Sequence, residues 1–69
     1  MANAPGSFTI MVYGAIKEMR YDEAISILES ELQSLPRSRA ALSLLGYCYY
    51  KVAKFTTAAE CYERLVGLC

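Results

Sequence analysis

Apolar residues in this chain recur every three or four positions, without a strand-like alternation, and that period predicts helices from end to end. Phe8, Met11, Val12, Ala15 and Met19 form one such stripe, preceded by Ser7, whose hydroxyl suits a helix N-cap. The first helix is predicted to end near Met19. Gly14 inside it costs about 1 kcal/mol relative to alanine, so close approach of a neighbouring helix is the expected compensation. A turn at Met19-Arg20-Tyr21 leads to a second helix capped by Asp22, with Ile25, Leu28 and Leu32 buried and Ala24 small enough to admit its neighbour. Pro36 ends that helix, because the residue before a proline is pushed out of helical geometry. Ser38 caps a third helix with the stripe Leu42, Leu45, Gly46, Tyr49 and Val52, and Gly46 leaves room for a crossing helix. The fourth helix is predicted to begin at Thr56 or Thr57, with Thr57 and Glu60 as a capping box and a Glu60–Arg64 pair one turn apart. Ala58, Leu65 and one of Cys61 or Tyr62 face inward.

The four helices repeat. Tyr21-Asp22-Glu23-Ala24 is echoed 34 residues later by Phe55-Thr56-Thr57-Ala58, and the same offset lays Phe8 on Leu42, Met11 on Leu45, Lys17 on Lys51, Leu28 on Tyr62 and Glu29 on Glu63. A 34-residue helix-turn-helix period is that of tetratricopeptide repeats. The chain therefore reads as all-α, a short α-solenoid of about two repeats: a flexible head at 1–6, a first hairpin at 7–36 and a second at 37–69. The position matching Pro36 falls just beyond Cys69, so the second unit is expected to be incomplete and the array truncated. An exposed apolar end follows, and with it self-association or easy melting. Such repeats act by presenting a surface to another chain, which predicts a protein-binding scaffold.

Composition narrows this reading. An apolar fraction of 55% suits a chain with a stacking face, and seven basic residues against seven acidic ones give none of the basic excess expected of a nucleic-acid binder. The bases, Lys17, Arg20, Arg37, Arg39, Lys51 and Lys54, fall on the first helix of each repeat or its turns. Most acids fall on the second helices, which predicts opposite charge on the two layers; helix-dipole complementarity explains Asp22, Glu23, Lys17 and Lys51 equally well. With no histidine, and with Cys48, Cys61 and Cys69 in no metal-ligand spacing, a structural metal site is not expected. Cys48 and Cys61 read as small core fillers in a reducing compartment. Residues 1–6 lack the features of a signal peptide, and the apolar stretch 40–50 falls short of the about 20 residues that span a bilayer. Cytoplasmic location without membrane insertion is the resulting expectation. No nucleophile has a base nearby and no glycine-rich phosphate loop occurs, so neither enzymatic activity nor a cofactor is predicted.

The first helices carry a second stripe beside the core one: Thr9, Tyr13, Ile16 and Lys17, then Ser43, Tyr47, Tyr50 and Lys51. In a right-handed stack these become adjacent rungs of a groove, and Tyr13, Ile16, Lys17, Ser43, Tyr47, Tyr50 and Lys51 are the candidate partner-binding residues. Tyrosine rings beneath lysines favour a peptide with apolar rings, such as proline, and some acidic groups. Other roles stand beside this one: Tyr13 and Tyr47 could pack on a following repeat, Ile16 could belong to the core, and the lysines could serve only the helix dipoles. A co-chaperone-type adaptor that clamps an acidic carboxy-terminus is the alternative binder. Its lysine and asparagine positions hold Thr9, Tyr13 and Tyr47 here. A free-standing four-helix bundle is a third reading.

Glu31-Leu32-Gln33, the run from Pro36-Arg37-Ser38 through Gly46-Tyr47-Cys48-Tyr49-Tyr50, and Ala58-Ala59-Glu60-Cys61-Tyr62-Glu63 carry a more particular resemblance. Leu42, Leu45, Gly46, Tyr49, Phe55 and Ala58 are generic repeat positions, whereas Ser38 to Tyr50 with Cys61 and Tyr62 is specific. From Phe8 onward the chain resembles the amino-terminal end of the intraflagellar transport protein 70 family, also called tetratricopeptide repeat protein 30. The resemblance implies a non-enzymatic subunit of the intraflagellar transport B complex, found in cytoplasm and cilium or flagellum. It implies a superhelix enclosing a proline-rich segment of intraflagellar transport protein 52, with contacts to other B-complex subunits, and makes Tyr13, Tyr47, Tyr50 and Lys51 the first rungs of that enclosure. Val12 and Ala15 stand where glycine and tyrosine are usual, as in a capping repeat.

Overall fold

A computed structural model describes residues 7–68, and every regular element among them is a helix: α1 (Ser7–Lys17), α2 (Tyr21–Ser34), α3 (Arg39–Lys51) and α4 (Phe55–Gly67). The head at 1–6, the cap assigned to the Ser7 side chain, and Cys69 lie outside the described residues. Packing follows chain order, α1 on α2, α2 on α3 and α3 on α4, as in a stack of tetratricopeptide-type hairpins.

The turn inside each hairpin shows the repeat in backbone detail. At the end of α1, the N–H of Arg20 donates to the Ala15 carbonyl (2.8 Å) and that of Met19 to Ile16 (2.9 Å). At the end of α3, Lys54 donates to Tyr49 (2.9 Å) and Ala53 to Tyr50 (3.0 Å). These are paired Schellman closures, and they force the C′ residue into the left-handed region. Met19 has φ 61° and Ala53 φ 66°, where glycine is the unstrained choice.

The next helix starts immediately, with Arg20 and Lys54 as N-caps that contribute no side-chain cap bond. This corrects two expectations. Asp22 does not cap α2 but lies in its first turn with Glu23, where charge still meets the positive helix end. The Thr57–Glu60 box does not set the start of α4, which begins at Phe55 because the Schellman turn leaves no spare residues before it. Ser38 does cap α3, its hydroxyl accepting from the Ala41 N–H at 3.2 Å. Leu35, at φ −130°, carries the break that Pro36 imposes.

The core is narrow and built largely of small residues: Val12 and Ala15 from α1, Ala24, Leu28 and Leu32 from α2, Ala41, Leu42, Leu45 and Cys48 from α3, and Ala58 and Cys61 from α4. Met11 and Met19 were expected in the first stripe but are exposed: α1 turns Val12 and Ala15 into the core and leaves Met11 outside it, and Met19 falls beyond the end of α1, in the left-handed turn. Side-chain bonds to carbonyls tie the ends together, Arg64 Nη2 donating to Pro36 (3.4 Å) and Arg39 Nη2 to Leu68 (3.3 Å).

The two helical glycines differ. A Cβ on Gly46 would sit 2.8 Å from Cζ of Tyr62, so that glycine is where α4 crosses α3; Gly14 has nothing within 4 Å, and the close approach expected there is absent. Gly14→Ala should therefore stabilise the fold by about 1 kcal/mol through helix propensity alone. Ala53→Gly should stabilise it by about 0.5–1 kcal/mol by relieving the left-handed strain. Urea unfolding followed by circular dichroism checks both, and destabilisation by Ala53→Gly would contradict the turn geometry.

Candidate functional site

On α1, Tyr13 and Ile16 lie three residues apart and so share a helix face beside buried Val12 and Ala15. On α3, Ser43 and Tyr47 lie four apart beside buried Leu42 and Cys48. These four side chains, with Leu44 of α3 and Tyr62 of α4, line one groove of about 350 Å³. Tyr13 is 56% exposed and Tyr47 40%, so both rings offer apolar faces to solvent while their helices stay anchored. Lys51 Nζ lies 5.8 Å from the centroid of the Tyr47 ring, a cation–π contact at the groove's rim worth about 0.5–1 kcal/mol.

The remaining sequence-predicted residues lie elsewhere. Tyr50 packs edge-to-face on Phe55, centroids 5.4 Å apart at 64°, and so braces the α3–α4 turn instead of lining the groove. Lys17 is exposed at the C-terminal end of α1. Leu44 and Tyr62 were not anticipated as lining residues. A signal for Tyr62 existed in the 34-residue register: the first repeat pairs Val12 with Leu28, whereas the second pairs Gly46 with Tyr62, exchanging bulk between facing helices. Cys61 then takes the buried position and the tyrosine ring reaches past Gly46 to the surface.

The groove's polar groups are hydroxyls, from Ser43 and three tyrosines, with no carboxylate among its lining residues. It can bind apolar rings and exchange hydrogen bonds with a backbone, but it holds no acid–base pair. Among the described residues no group of three or more Cys, Asp or Glu is placed to hold a metal. Burial pushes the thiols of Cys48 and Cys61 up, which keeps them protonated and inert at neutral pH.

A second hollow, about 360 Å³, opens between α2, α3 and α4 and is lined by Glu29, Tyr49, Glu60 and Arg64 among others. There the Tyr49 hydroxyl donates to the Glu29 carboxylate, linking the two hairpins. Burial first, then that bond and the carboxylate's charge, push the Tyr49 hydroxyl up to about 12.

Two stacked helical hairpins in a 34-residue register, with an aromatic groove along the first helices, define a tetratricopeptide-type repeat protein. No protein-family model matches the chain. It is 60% identical to intraflagellar transport protein 70A of Homo sapiens over 60 residues, which are 87% of this chain and 9% of that protein. It is 59% identical to the Xenopus tropicalis 70A protein over 63 residues, 91% of this chain and 10% of that one. The 70B protein of Homo sapiens matches at 60% over 60 residues, again 87% of this chain and 9% of the relative. The chain is a homologue of the intraflagellar transport protein 70 family and spans about a tenth of the length of the curated relatives it matches.

The Tyr49–Glu29 bond has a measurable consequence. Because the folded state holds the Tyr49 proton more tightly than the unfolded chain, the stability it contributes is complete below pH 10.0 and is lost as pH rises toward about 12. In a tyrosine absorbance titration, Tyr49→Phe should remove a phenol that titrates near pH 12 and flatten the alkaline loss of stability. An unchanged titration curve would refute the assignment.

Proposed function

We propose that this chain is the non-enzymatic, peptide-holding part of an intraflagellar transport protein 70, serving assembly of the cilium or flagellum in the cytoplasm and the ciliary compartment. Two hairpin units, 7–36 and 37–69, form neighbouring rungs of a scaffold that grips an extended segment of a partner. The homologues' name supports the transport role. The observation that carries the binding mode is the convergence of Tyr13, Ile16, Ser43 and Tyr47 on one groove. Exposed tyrosine rings favour rigid proline-rich chains, whose rings lie flat on aromatic faces at little entropic cost. Lys51 at the rim and Lys17 beyond it favour acidic groups in the same ligand.

By resemblance to the family, that ligand is the proline-rich segment of intraflagellar transport protein 52 within the B complex, and other B-complex subunits are further partners. Tyr50, seated on Phe55, supports the groove from its end and is not a primary contact. Membrane insertion plays no part in this reading, and no helix among the described residues is long and apolar enough to cross a bilayer.

Replacing Tyr13→Ala together with Tyr47→Ala should weaken binding of a labelled proline-rich peptide containing acidic residues by about tenfold or more, as loss of two aromatic anchors does. Fluorescence anisotropy measures this, with helicity by circular dichroism as the control for folding. Equal affinity of the folded double variant would overturn the groove as the binding site.

A further inference from the structure

The groove between α1 and α3 carries no charge of its own, being lined by Tyr13, Ile16, Ser43, Leu44, Tyr47 and Tyr62. An ionised carboxylate lowered among them would exchange its hydration for hydroxyls alone, so an acidic residue of a ligand has to settle at the rim. Three of the arginines are already engaged. Arg20 pairs with Glu18 (3.0 Å) and Glu23 (3.4 Å), Arg39 donates to the Leu68 carbonyl, and Arg64 to that of Pro36. Lys51 differs. It ends α3 one turn after Tyr47, so the two share a helix face, and its Nζ stands over the Tyr47 ring, 5.8 Å from the centroid. Among the described residues no carboxylate pairs with it. Lys17 follows Tyr13 at the same interval on α1, but among the described residues no such contact forms between them. One ammonium is thus held at a defined distance from one exposed ring.

We propose that Lys51 reads an acidic residue placed three positions from the proline that lies on Tyr47. This rests on the groove being the peptide site and adds a register to it. A carboxylate oxygen bonded to the ammonium stands about 3 Å from Nζ, and hence, for a ligand running outward past Lys51, about 9 Å from a proline stacked on the ring. A polyproline II chain has three residues per turn and rises about 3.1 Å per residue, so residues three apart project to the same side at a separation of about 9 Å. Residues one or two positions away stand only about 3 or 6 Å along the chain and project about 120° to either side, away from the lysine. The ligand class is an extended segment in which proline and Asp or Glu share a three-residue frame.

The contribution is one of selectivity more than of strength. Lys51 is exposed, and ion pairs at exposed sites change affinity by about two- to fivefold and weaken as salt screens them. The Tyr47 ring limits the wandering of the lysine before the ligand arrives, so less side-chain freedom is lost when the carboxylate docks. Acidic residues out of frame with the prolines have no cation waiting for them and gain nothing.

Fluorescence anisotropy with the 69-residue chain tests this, using labelled peptides of Pro-Gln-Gln repeats in which every proline lies in one frame. A single Glu is placed either in the proline frame or in each of the two glutamine frames, and each peptide is compared with the one carrying Gln at the same place. Glu in the proline frame should tighten binding by about two- to fivefold at low ionic strength, and Glu in the other frames should match Gln. The gain should vanish in about 1 M salt, and in Lys51→Met and Lys51→Gln, whose exposed substitutions should leave helicity by circular dichroism unchanged. An equal gain in all three frames, a gain that survives both Lys51 variants, or no gain from a host peptide whose binding still depends on Tyr13 and Tyr47 would overturn this proposal alone. A host peptide that fails to bind, or that binds the Tyr13→Ala, Tyr47→Ala double variant as well as the wild type, overturns the groove as the peptide site and the register with it.

Discussion

Everything positioned in this molecule depends on the burial of Leu28 and Leu32 of α2 in one core with Leu42 and Leu45 of α3, the helix on which α2 packs across the seam between hairpins. At about 1.5–3 kcal/mol for each fully buried leucine, these side chains are the main apolar contribution of α2 and α3 to the core. The seam also fixes the spacing of α1 and α3, and hence whether Tyr13 and Tyr47 share a groove. The Tyr49–Glu29 bond lies on the other side of the same seam and fixes its angle with a directional contact that leucines alone do not provide.

The tight turns are the second constraint. Schellman closures at Met19 and Ala53 spend conformational strain to reverse the chain in three residues. That economy lets α2 and α4 start at Tyr21 and Phe55, so these aromatics open the second helices instead of filling loops. Phe55 then lies within reach of Tyr50, and the ring pair clamps the second turn.

Helix number, order and register were legible because the stripe at three-to-four spacing and the 34-residue echo agree with each other. Ser38 was legible as a cap because Pro36 and a polar loop isolate it from the preceding helix. Asp22 and Thr57 misled because capping residues signal a helix start only when the preceding turn has residues to spare, and a left-handed alanine or methionine leaves no mark in the sequence. In the groove, Tyr13, Ile16, Ser43 and Tyr47 were legible as a face of period 3.6. Tyr50, a further 100° round from Tyr49 on the same helix, belonged to the turn, and separating it required knowing where Phe55 begins its helix. Gly14 and Gly46 look alike in sequence, and only the crossing of Tyr62 over one of them distinguishes a packing glycine from an unopposed one.

Tyr62 joins α4 to the groove on which the functional reading rests. Its ring fills the space Gly46 vacates, lines the groove beside Tyr13 and Tyr47, and occupies the position whose equivalent, Leu28, is wholly buried in the core. Rigid aromatic walls lose less side-chain entropy on binding than mobile ones, and the seat on Gly46 is what holds this ring at the groove. A size exchange between one glycine and one tyrosine is enough to bring α4 into the groove wall, because the same side chain meets α3 at Gly46 and lines the groove beside Tyr13 and Tyr47.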